Sequence, residues 1–140
     1  MGKLNIIKPS KYVSDKLLTE VAGEVFSFLG EEFKVGVKFA SENYIRSLNK
    51  QYRGKDEPTN VLSFNNEEYS KNGDIVICES FVEGEAKELK IEVSDLELLY
   101  LVHGMLHLAG FDHTKPVERD KMEETERDIL AKVGIKMKRY

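Results

Sequence analysis

The sequence predicts an α+β fold in which a single small mixed sheet of about four strands is covered by helices. Four segments have the apolar pattern of β-strands, five have apolar residues at helical spacing, and their order along the chain is βαβαββααα. Strands interrupted by helices and then followed by a run of helices indicate one sheet with helices packed against it. The 140 residues contain no repeat and no linker, so we expect one domain over residues 1–140.

The four predicted strands are short and have different burial patterns. Phe33–Ala40 alternates apolar residues with others, which is typical of a strand with one buried face. Residues 75–78 are a continuous apolar run that ends in the one cysteine, Cys78, which we expect to be a small buried side chain. The predicted strands are Lys3–Lys8, Phe33–Ala40, Val61–Phe64 and Asp74–Glu79.

The five predicted helices are bounded by residues that favour helix ends. Ser41 can cap the second helix, Pro116 suits the first turn of the last one, and Gly30 follows the first. Ser80 and Ser94 are each followed three residues later by glutamate, a pattern that resembles a capping box. The predicted helices are Ser10–Leu29, Ser41–Tyr52, Ser80–Leu89, Ser94–Leu108 and Pro116–Val133.

Composition and charge limit the function classes. No apolar run approaches the roughly 20 residues that span a bilayer, so no membrane contact is expected. One cysteine cannot form an internal disulfide, which favours a reducing, cytoplasmic location. The net charge of −4 argues against general nucleic-acid binding. A local basic groove could still form where four basic residues lie within ten positions: Arg46, Lys50, Arg53 and Lys55.

All three histidines lie in the segment from His103 to His113, which reads HGMLHLAGFDH. Three protein ligands leave one position of a zinc ion open, as in catalytic zinc sites. His103 and His107 are four residues apart, on one face of the predicted helix. His113 can join them only if the helix ends and the chain turns near Gly110, a residue that tolerates a left-handed backbone. The segment therefore predicts a site for one Zn²⁺, or another divalent metal, held by three histidines.

The same histidine spacing occurs in zinc peptidases with the pattern HExxHxxGxxH, whose glutamate is the general base. In this chain Gly104 stands at the glutamate position, so a peptidase of that kind would lack its proton acceptor. Zinc can still lower the pKa of a bound water to about 7, which leaves hydrolysis of another substrate open.

Two further stretches accompany the histidine segment. LNKQYR begins at Leu48 and is followed by Asp56 and by PTNVLSF from Pro58, and GDI begins at Gly73. In order and spacing, from about Ile45 to His113, these stretches resemble the bacterial YbeY rRNA maturation factors. The resemblance implies a zincin-like α+β fold and a zinc-dependent endoribonuclease specific for single-stranded RNA. It also implies maturation of the 3′ end of small-subunit rRNA and ribosome quality control, with the small ribosomal subunit and its assembly factors as partners.

Arg53 is the predicted catalytic residue beside the metal. Phosphodiester cleavage develops negative charge, which a guanidinium can stabilise through two parallel hydrogen bonds. Asp112 could orient a ligand imidazole, accept a proton from the nucleophile or form hydrogen bonds at the helix end. Candidates for substrate binding are Lys50, Lys55, Thr59 and Ser63. The nucleophile stays open between zinc-bound water and the ribose 2′-hydroxyl.

Position 60 departs from the family pattern. The family usually has Asp after the Pro-Thr pair, whereas this chain has Asn60. Because the change removes a carboxylate, we assign Asn60 no catalytic role and expect a structural hydrogen bond instead.

Two alternatives to a nuclease remain: a zincin-like peptidase without the usual base, and a non-catalytic ribosome-binding module with a structural metal. A fourth ligand such as Asp112 would favour the second alternative.

Overall fold

The computed structural model describes residues 4–137 as one four-stranded sheet with helices on both faces. The strands are β1 Leu4–Lys8, β2 Val35–Ala40, β3 Val61–Asn65 and β4 Gly73–Cys78. The helices are α1 Asp15–Leu29, α2 Glu42–Arg53, α3 Glu79–Leu89, α4 Val93–Leu108 and α5 Pro116–Lys132. The predicted α+β fold with one four-stranded sheet is confirmed. The predicted start of the first strand, Lys3, lies outside the described residues.

The sheet is mixed and has the strand order β1-β2-β4-β3. β1, β2 and β4 run parallel, and β3 pairs antiparallel with β4 at one edge, from Val61 opposite Ile77 to Asn65 opposite Gly73. The end of α4 lies over the beginning of β4, since a Cβ atom added to Gly73 would lie 2.5 Å from Cδ2 of Leu108. The histidine segment therefore lies near the edge strand β3, at the end of the sheet where β4 begins.

α4 is the central helix of the larger core. Its residues are buried on nearly all sides, and it packs against α1, α3, α5 and the sheet. A helix that is apolar all round is expected to be enclosed in this way. At Gly104 the helix approaches β4 so closely that an added Cβ would lie 2.9 Å from the nearest Ile75 side-chain atom. The two histidines of α4 therefore lie on a helix that is packed on nearly all sides by the core.

α2 covers the opposite face of the sheet through a smaller core. Ile45 packs there with Leu62, Val76 and Cys78. Cys78 is fully buried and free of disulfide bonds, as the apolar run around it predicts. No helix within residues 4–137 is both long and apolar enough to cross a lipid bilayer.

The predicted start of the first helix is wrong. α1 begins at Asp15, and the Ser14 hydroxyl caps it by accepting the backbone N–H of Leu17. Ser10 instead forms a turn, in which its hydroxyl accepts the backbone N–H groups of Tyr12 and Val13. Hydroxyl residues stabilise turns and helix starts by the same hydrogen bonds, so the sequence does not separate the two uses.

The predicted capping box at Ser80 is wrong, whereas the predicted cap at Ser41 is confirmed. The Ser41 hydroxyl accepts the backbone N–H of Tyr44 at 3.2 Å. α3 begins one residue before Ser80, whose hydroxyl donates to Glu42 at 3.0 Å. Its hydroxyl therefore links α3 to α2 instead of capping its own helix.

The capping box at Ser94 is also wrong. α4 begins at Val93, with no side-chain cap, so Ser94 lies inside the helix. Glu97, the predicted partner, is fully buried, and its Oε1 atom lies 2.5 Å from the Ser10 hydroxyl. A tertiary contact thus uses the carboxylate that the local pattern assigns to the helix end.

Candidate metal centre

α4 places two histidine side chains side by side. His103 and His107 are half-buried, and their ring centroids are 5.0 Å apart. This is the arrangement expected for residues four apart on one helical face. The pair lies in the last turns of the helix, where its regular hydrogen bonding ends at Leu108.

The chain turns sharply after the helix, as the spacing predicts. Gly110 has a φ of +103°, and the Phe111 N–H donates to the Leu106 carbonyl at 2.9 Å. The side chain of Asn65 on β3 donates to the Leu108 carbonyl at 3.1 Å. Carbonyl groups at a helix end lack partners within the helix, so the turn and β3 supply them here. The predicted helix end near Gly110 is confirmed.

The turn returns His113 to the other two histidines. Its ring centroid is 5.2 Å from that of His103 and 4.7 Å from that of His107. The three side chains offer nitrogen atoms that all lie within 4.8 Å of one another, so the group could hold one metal ion. Imidazole nitrogens suit zinc and other late transition metals better than magnesium or calcium, which prefer oxygen. The donor set therefore fits the predicted kind of site.

The His107 side chain is uncharged at neutral pH, which allows it to bind a metal cation. Burial, followed by the electrostatic influence of the neighbouring His103 and His113 side chains, lowers its pKa from the ordinary 6.5 to about 4. At neutral pH its ring is therefore uncharged, and a ring nitrogen keeps the lone pair that a metal requires. Metal binding at this position needs no loss of a proton under ordinary conditions.

Asp112 supports the turn that carries His113. Its Oδ1 atom accepts the backbone N–H of His113 at 2.7 Å and that of Thr114 at 3.2 Å. Its Oδ2 atom accepts the Thr114 hydroxyl at 3.1 Å. The His113 N–H is the largest cause that holds the pKa of Asp112 below its usual range. These bonds stabilise the turn and are of the helix-end kind considered for Asp112.

A carboxylate that the sequence reasoning missed, Glu126, contacts the imidazole of the candidate ligand His103. Oε2 of Glu126 lies 2.6 Å from Nδ1 of His103, and the residue is 2% exposed. It lies on α5 among the buried positions Met122, Ile129 and Leu130. An acidic residue within the apolar spacing of a helix is the signal that could have identified it.

A small cavity of about 110 Å³ opens beside the histidines, between the histidine turn and α5. It is lined by His103, His113, Arg119, Met122, Glu123 and Glu126. The cavity provides space next to two of the three candidate ligands.

Arg53 is the last residue of α2 and is exposed. Burial and the other two histidines are the main causes that lower the pKa of His107, and the charge of Arg53 lowers it further. Arg53 is therefore close enough to act electrostatically on His107. The loop that follows it is held by Asn49, which donates to the Glu57 carbonyl at 2.9 Å. The predicted catalytic arginine thus acts electrostatically on His107, from the end of a helix that packs on the opposite face of the sheet from α4.

The predicted substrate-binding residues lie around α2 and β3. Lys50 and Lys55 are exposed, Thr59 is half-buried and bonds to Asn60, and Ser63 is half-buried on β3. Ser63 shares its face of β3 with Val61, which packs against the core around α4. Among residues 4–137, no hydrogen bond or ion pair joins any of these four candidates to a histidine.

Asn60 forms the structural hydrogen bonds predicted for it. Its Nδ2 atom donates to Glu85 at 3.2 Å and to the Tyr100 hydroxyl at 3.1 Å, and its Oδ1 atom accepts the Val61 N–H at 2.7 Å. Asn60 therefore links the beginning of β3 to α3 and α4. An aspartate at this position would place a second carboxylate beside Glu85.

Gly104 has no room for the glutamate of a peptidase. It faces β4, and a Cβ added there would lie 2.9–3.0 Å from three Ile75 side-chain atoms. A larger residue would have to displace Ile75, which is fully buried. The peptidase alternative therefore lacks both the base and the space for it.

We expect Gly104→Val to lower the free energy of unfolding by about 1–3 kcal/mol, the usual cost of overpacking a core. Denaturant unfolding measures the change. Gly84→Val is the matched control, because a Cβ at this exposed glycine of α3 meets nothing within 4 Å. Equal unfolding midpoints for the two variants would show that the contact of α4 with β4 is not tight at Gly104.

Comparison with known proteins gives consistent matches. The family model described as Endoribonuclease YbeY matches residues 6–134. The endoribonuclease YbeY of Alteromonas mediterranea is 46% identical over 107 residues, which cover 73% of this chain and 68% of that protein. The endoribonuclease YbeY of Colwellia psychrerythraea is 36% identical over 132 residues, which cover 91% and 85%. The solution structure of TM1509 from Thermotoga maritima superposes with a TM-score of 0.68 at 29% identity, covering 93% of this chain and 91% of that one.

Proposed function

We propose a specific role for this chain, which belongs to the YbeY endoribonuclease family and is a hydrolase that acts on RNA. In this proposal the enzyme is zinc-dependent, cleaves single-stranded RNA, and matures the 3′ end of small-subunit rRNA. The observation that carries the proposal is the group of three histidines at the end of the central helix. An arginine whose charge reaches that group adds the electrostatic element that phosphodiester chemistry needs.

The metal in the proposal would be held by His103, His107 and His113. A zinc ion there would act as a Lewis acid toward a phosphoryl oxygen. The protein prepares the site by keeping His107 uncharged and by fixing the backbone of His113 through Asp112. Three ligands from a rigid helix end and a hydrogen-bonded turn provide a site that is largely formed before a metal binds.

Arg53 would bind and orient the scissile phosphate. A guanidinium presents two parallel N–H donors to phosphate oxygens and stays charged at every physiological pH. Lys50 and Lys55 would add attraction to the RNA backbone that weakens with salt. Thr59 and Ser63 would donate hydrogen bonds to the substrate near the edge strand. Asp112, with its oxygens engaged in the turn, would act only through the position of His113.

The test compares wild type, Arg53→Ala and Arg46→Ala, each with metal content measured, on single-stranded RNA, double-stranded RNA and casein. We expect cleavage of the single strand alone. Arg53→Ala should keep its metal and lose about 10²–10³-fold in cleavage rate, the usual effect of removing one preorganised donor to a developing charge.

Arg46→Ala is the matched control, because it removes one arginine from the same helix. The Arg46–Asp56 pair is about half exposed on both sides, so its loss should change activity only slightly. Wild-type activity in Arg53→Ala would remove Arg53 from the mechanism, and casein cleavage would revive the peptidase alternative. A 2′,3′-cyclic phosphate on the product would identify the ribose hydroxyl as the nucleophile.

The ribosomal part of the proposal rests on the family pattern, and its partners would be the small subunit and its assembly factors in the cytoplasm. Precursor small-subunit RNA, free and within assembled particles, provides the substrate for its test. Cleavage confined to the 3′ end is the expected result. Cleavage scattered along the RNA in both forms would contradict a dedicated maturation role.

A further inference from the structure

One buried carboxylate contacts the candidate metal centre from a different helix. Glu126 on α5 is 2% exposed, and its Oε2 atom lies 2.6 Å from Nδ1 of His103 on α4. We propose that Glu126 is a positioning residue that holds the His103 ring with its Nδ1 atom protonated and its Nε2 atom free to bind the metal. This inference rests on the proposed metal site and goes beyond it by assigning how one ligand is oriented.

The 2.6 Å separation places a hydrogen bond between the two atoms. In the proposal the imidazole nitrogen donates this bond and the carboxylate oxygen accepts it. A neutral imidazole carries one N–H, and the other nitrogen then has the lone pair. A bond from Nδ1 to Glu126 therefore selects the tautomer whose Nε2 atom is a ligand. It also prevents the ring from rotating about its bond to Cβ.

The burial of Glu126 is unusual for a carboxylate and calls for a partner. Its neighbours on the buried face of α5 include Met122, Ile129 and Leu130. A carboxylate in such surroundings costs free energy unless it is paired, and a well-packed apolar residue is often at least as stable as a buried pair. The short contact with His103 is the interaction that offsets this cost.

The hydrogen bond between Glu126 and His103 also connects α5 to α4, and the two residues are 23 positions apart in the sequence. α5 packs against both α4 and α1, so the carboxylate is held by the core itself. Partners of this kind orient the ligands of many metal sites, and their loss typically weakens metal affinity about 10–100-fold. We expect an effect of that size for Glu126.

The experiment measures Zn²⁺ affinity of the full chain by competition with a chromophoric chelator. Glu126→Ala should weaken the affinity about 10–100-fold. Glu126→Gln should retain much of it, because the amide oxygen still accepts the Nδ1 proton. Thr125→Ala is the matched control, since Thr125 is a buried neighbour on α5 whose hydroxyl, among residues 4–137, bonds only to the Lys121 carbonyl of its own helix.

Heteronuclear NMR of the histidine side chains in the metal-free protein gives a second readout that does not depend on activity. Wild type and Glu126→Gln should show His103 protonated at Nδ1, and Glu126→Ala should lose that preference. Nε2 protonation of His103 in the wild type would overturn the inference even if Glu126→Ala failed to fold. Unchanged zinc affinity in a folded Glu126→Ala would also overturn it. Failure to cleave RNA, with the tautomer and zinc affinity as expected, would count against the proposed function alone.

Discussion

Replacing His107 with alanine should abolish tight metal binding and lower cleavage of single-stranded RNA by at least about a thousandfold. Lewis-acid stabilisation by a bound metal is worth several kcal/mol, and each ~1.4 kcal/mol corresponds to a factor of ten in rate. The ring centroid of His107 lies 5.0 Å from that of His103 and 4.7 Å from that of His113. Without His107, two nitrogens separated by the turn would remain.

The fold should survive this change, so the loss can be assigned to the site. His107 is half-buried and uncharged at neutral pH, and within the described residues its side chain forms no ion pair that the replacement would break. The measurements are bound metal per chain, unfolding midpoint and cleavage of single-stranded RNA at fixed metal concentration. Ser94→Ala, at the other end of the same helix, is the control and should match wild type. Wild-type cleavage by purified His107→Ala that has lost its metal would show that the reaction does not depend on this metal centre.

Local sequence was enough to predict that the three histidines come together at the end of α4. The spacing of the histidines required a chain reversal, and Gly110 was the residue able to supply it, which the φ of +103° confirms. Such a prediction works because helix geometry alone determines where His113 would otherwise lie. Strand order, by contrast, depends on which elements pair across the chain, and the sequence indicated only that one mixed sheet of about four strands forms.

Contacts between distant segments explain what the sequence did not reveal. Glu126 follows His113 by a turn and most of a helix. The apolar spacing of α5 shows which of its faces is buried, but it does not show which element packs against that face. The false capping box at Ser94 has the same origin, because a Ser-x-x-Glu pattern does not show whether Glu97 serves its own helix or a contact with Ser10. Gly104 could be recognised as a missing base, but only its approach to Ile75 shows that no base fits there.

The second large expected effect is a loss of stability at alkaline pH, caused by Glu97. This side chain is fully buried, and its Oε2 atom has no hydrogen-bond partner among the described residues. Burial, followed by the neighbouring Glu79 carboxyl group and the charge of Glu83, raises the pKa of Glu97 from 4.5 to about 8. Ser10, whose hydroxyl lies 2.5 Å from Glu97 and 3.0 Å from Glu79, offsets the increase only in part.

The sign of the effect follows from proton binding. Between pH 4.5 and about 8 the folded protein keeps the Glu97 proton, whereas the unfolded chain releases it. The free energy of unfolding therefore falls as pH rises through this window, by up to about 1.4 kcal/mol per pH unit from this group, and the loss is complete above the folded-state pKa. Stability from this carboxyl is thus greatest below the unfolded pKa, the reverse of a salt-bridged carboxylate.

Glu97→Gln should remove this pH dependence, because the amide has a similar volume and does not titrate. We expect wild type and variant to differ little near about pH 5 and the variant to be more stable by a few kcal/mol near about pH 9, as measured by urea unfolding at each pH. Glu88→Gln, an exposed glutamate of α3, is the control and should leave the slope unchanged. Parallel curves for wild type and Glu97→Gln would mean that Glu97 is already ionised in the folded protein, and a cation would then have to lie beside Glu79 and Glu97 to hold both charges.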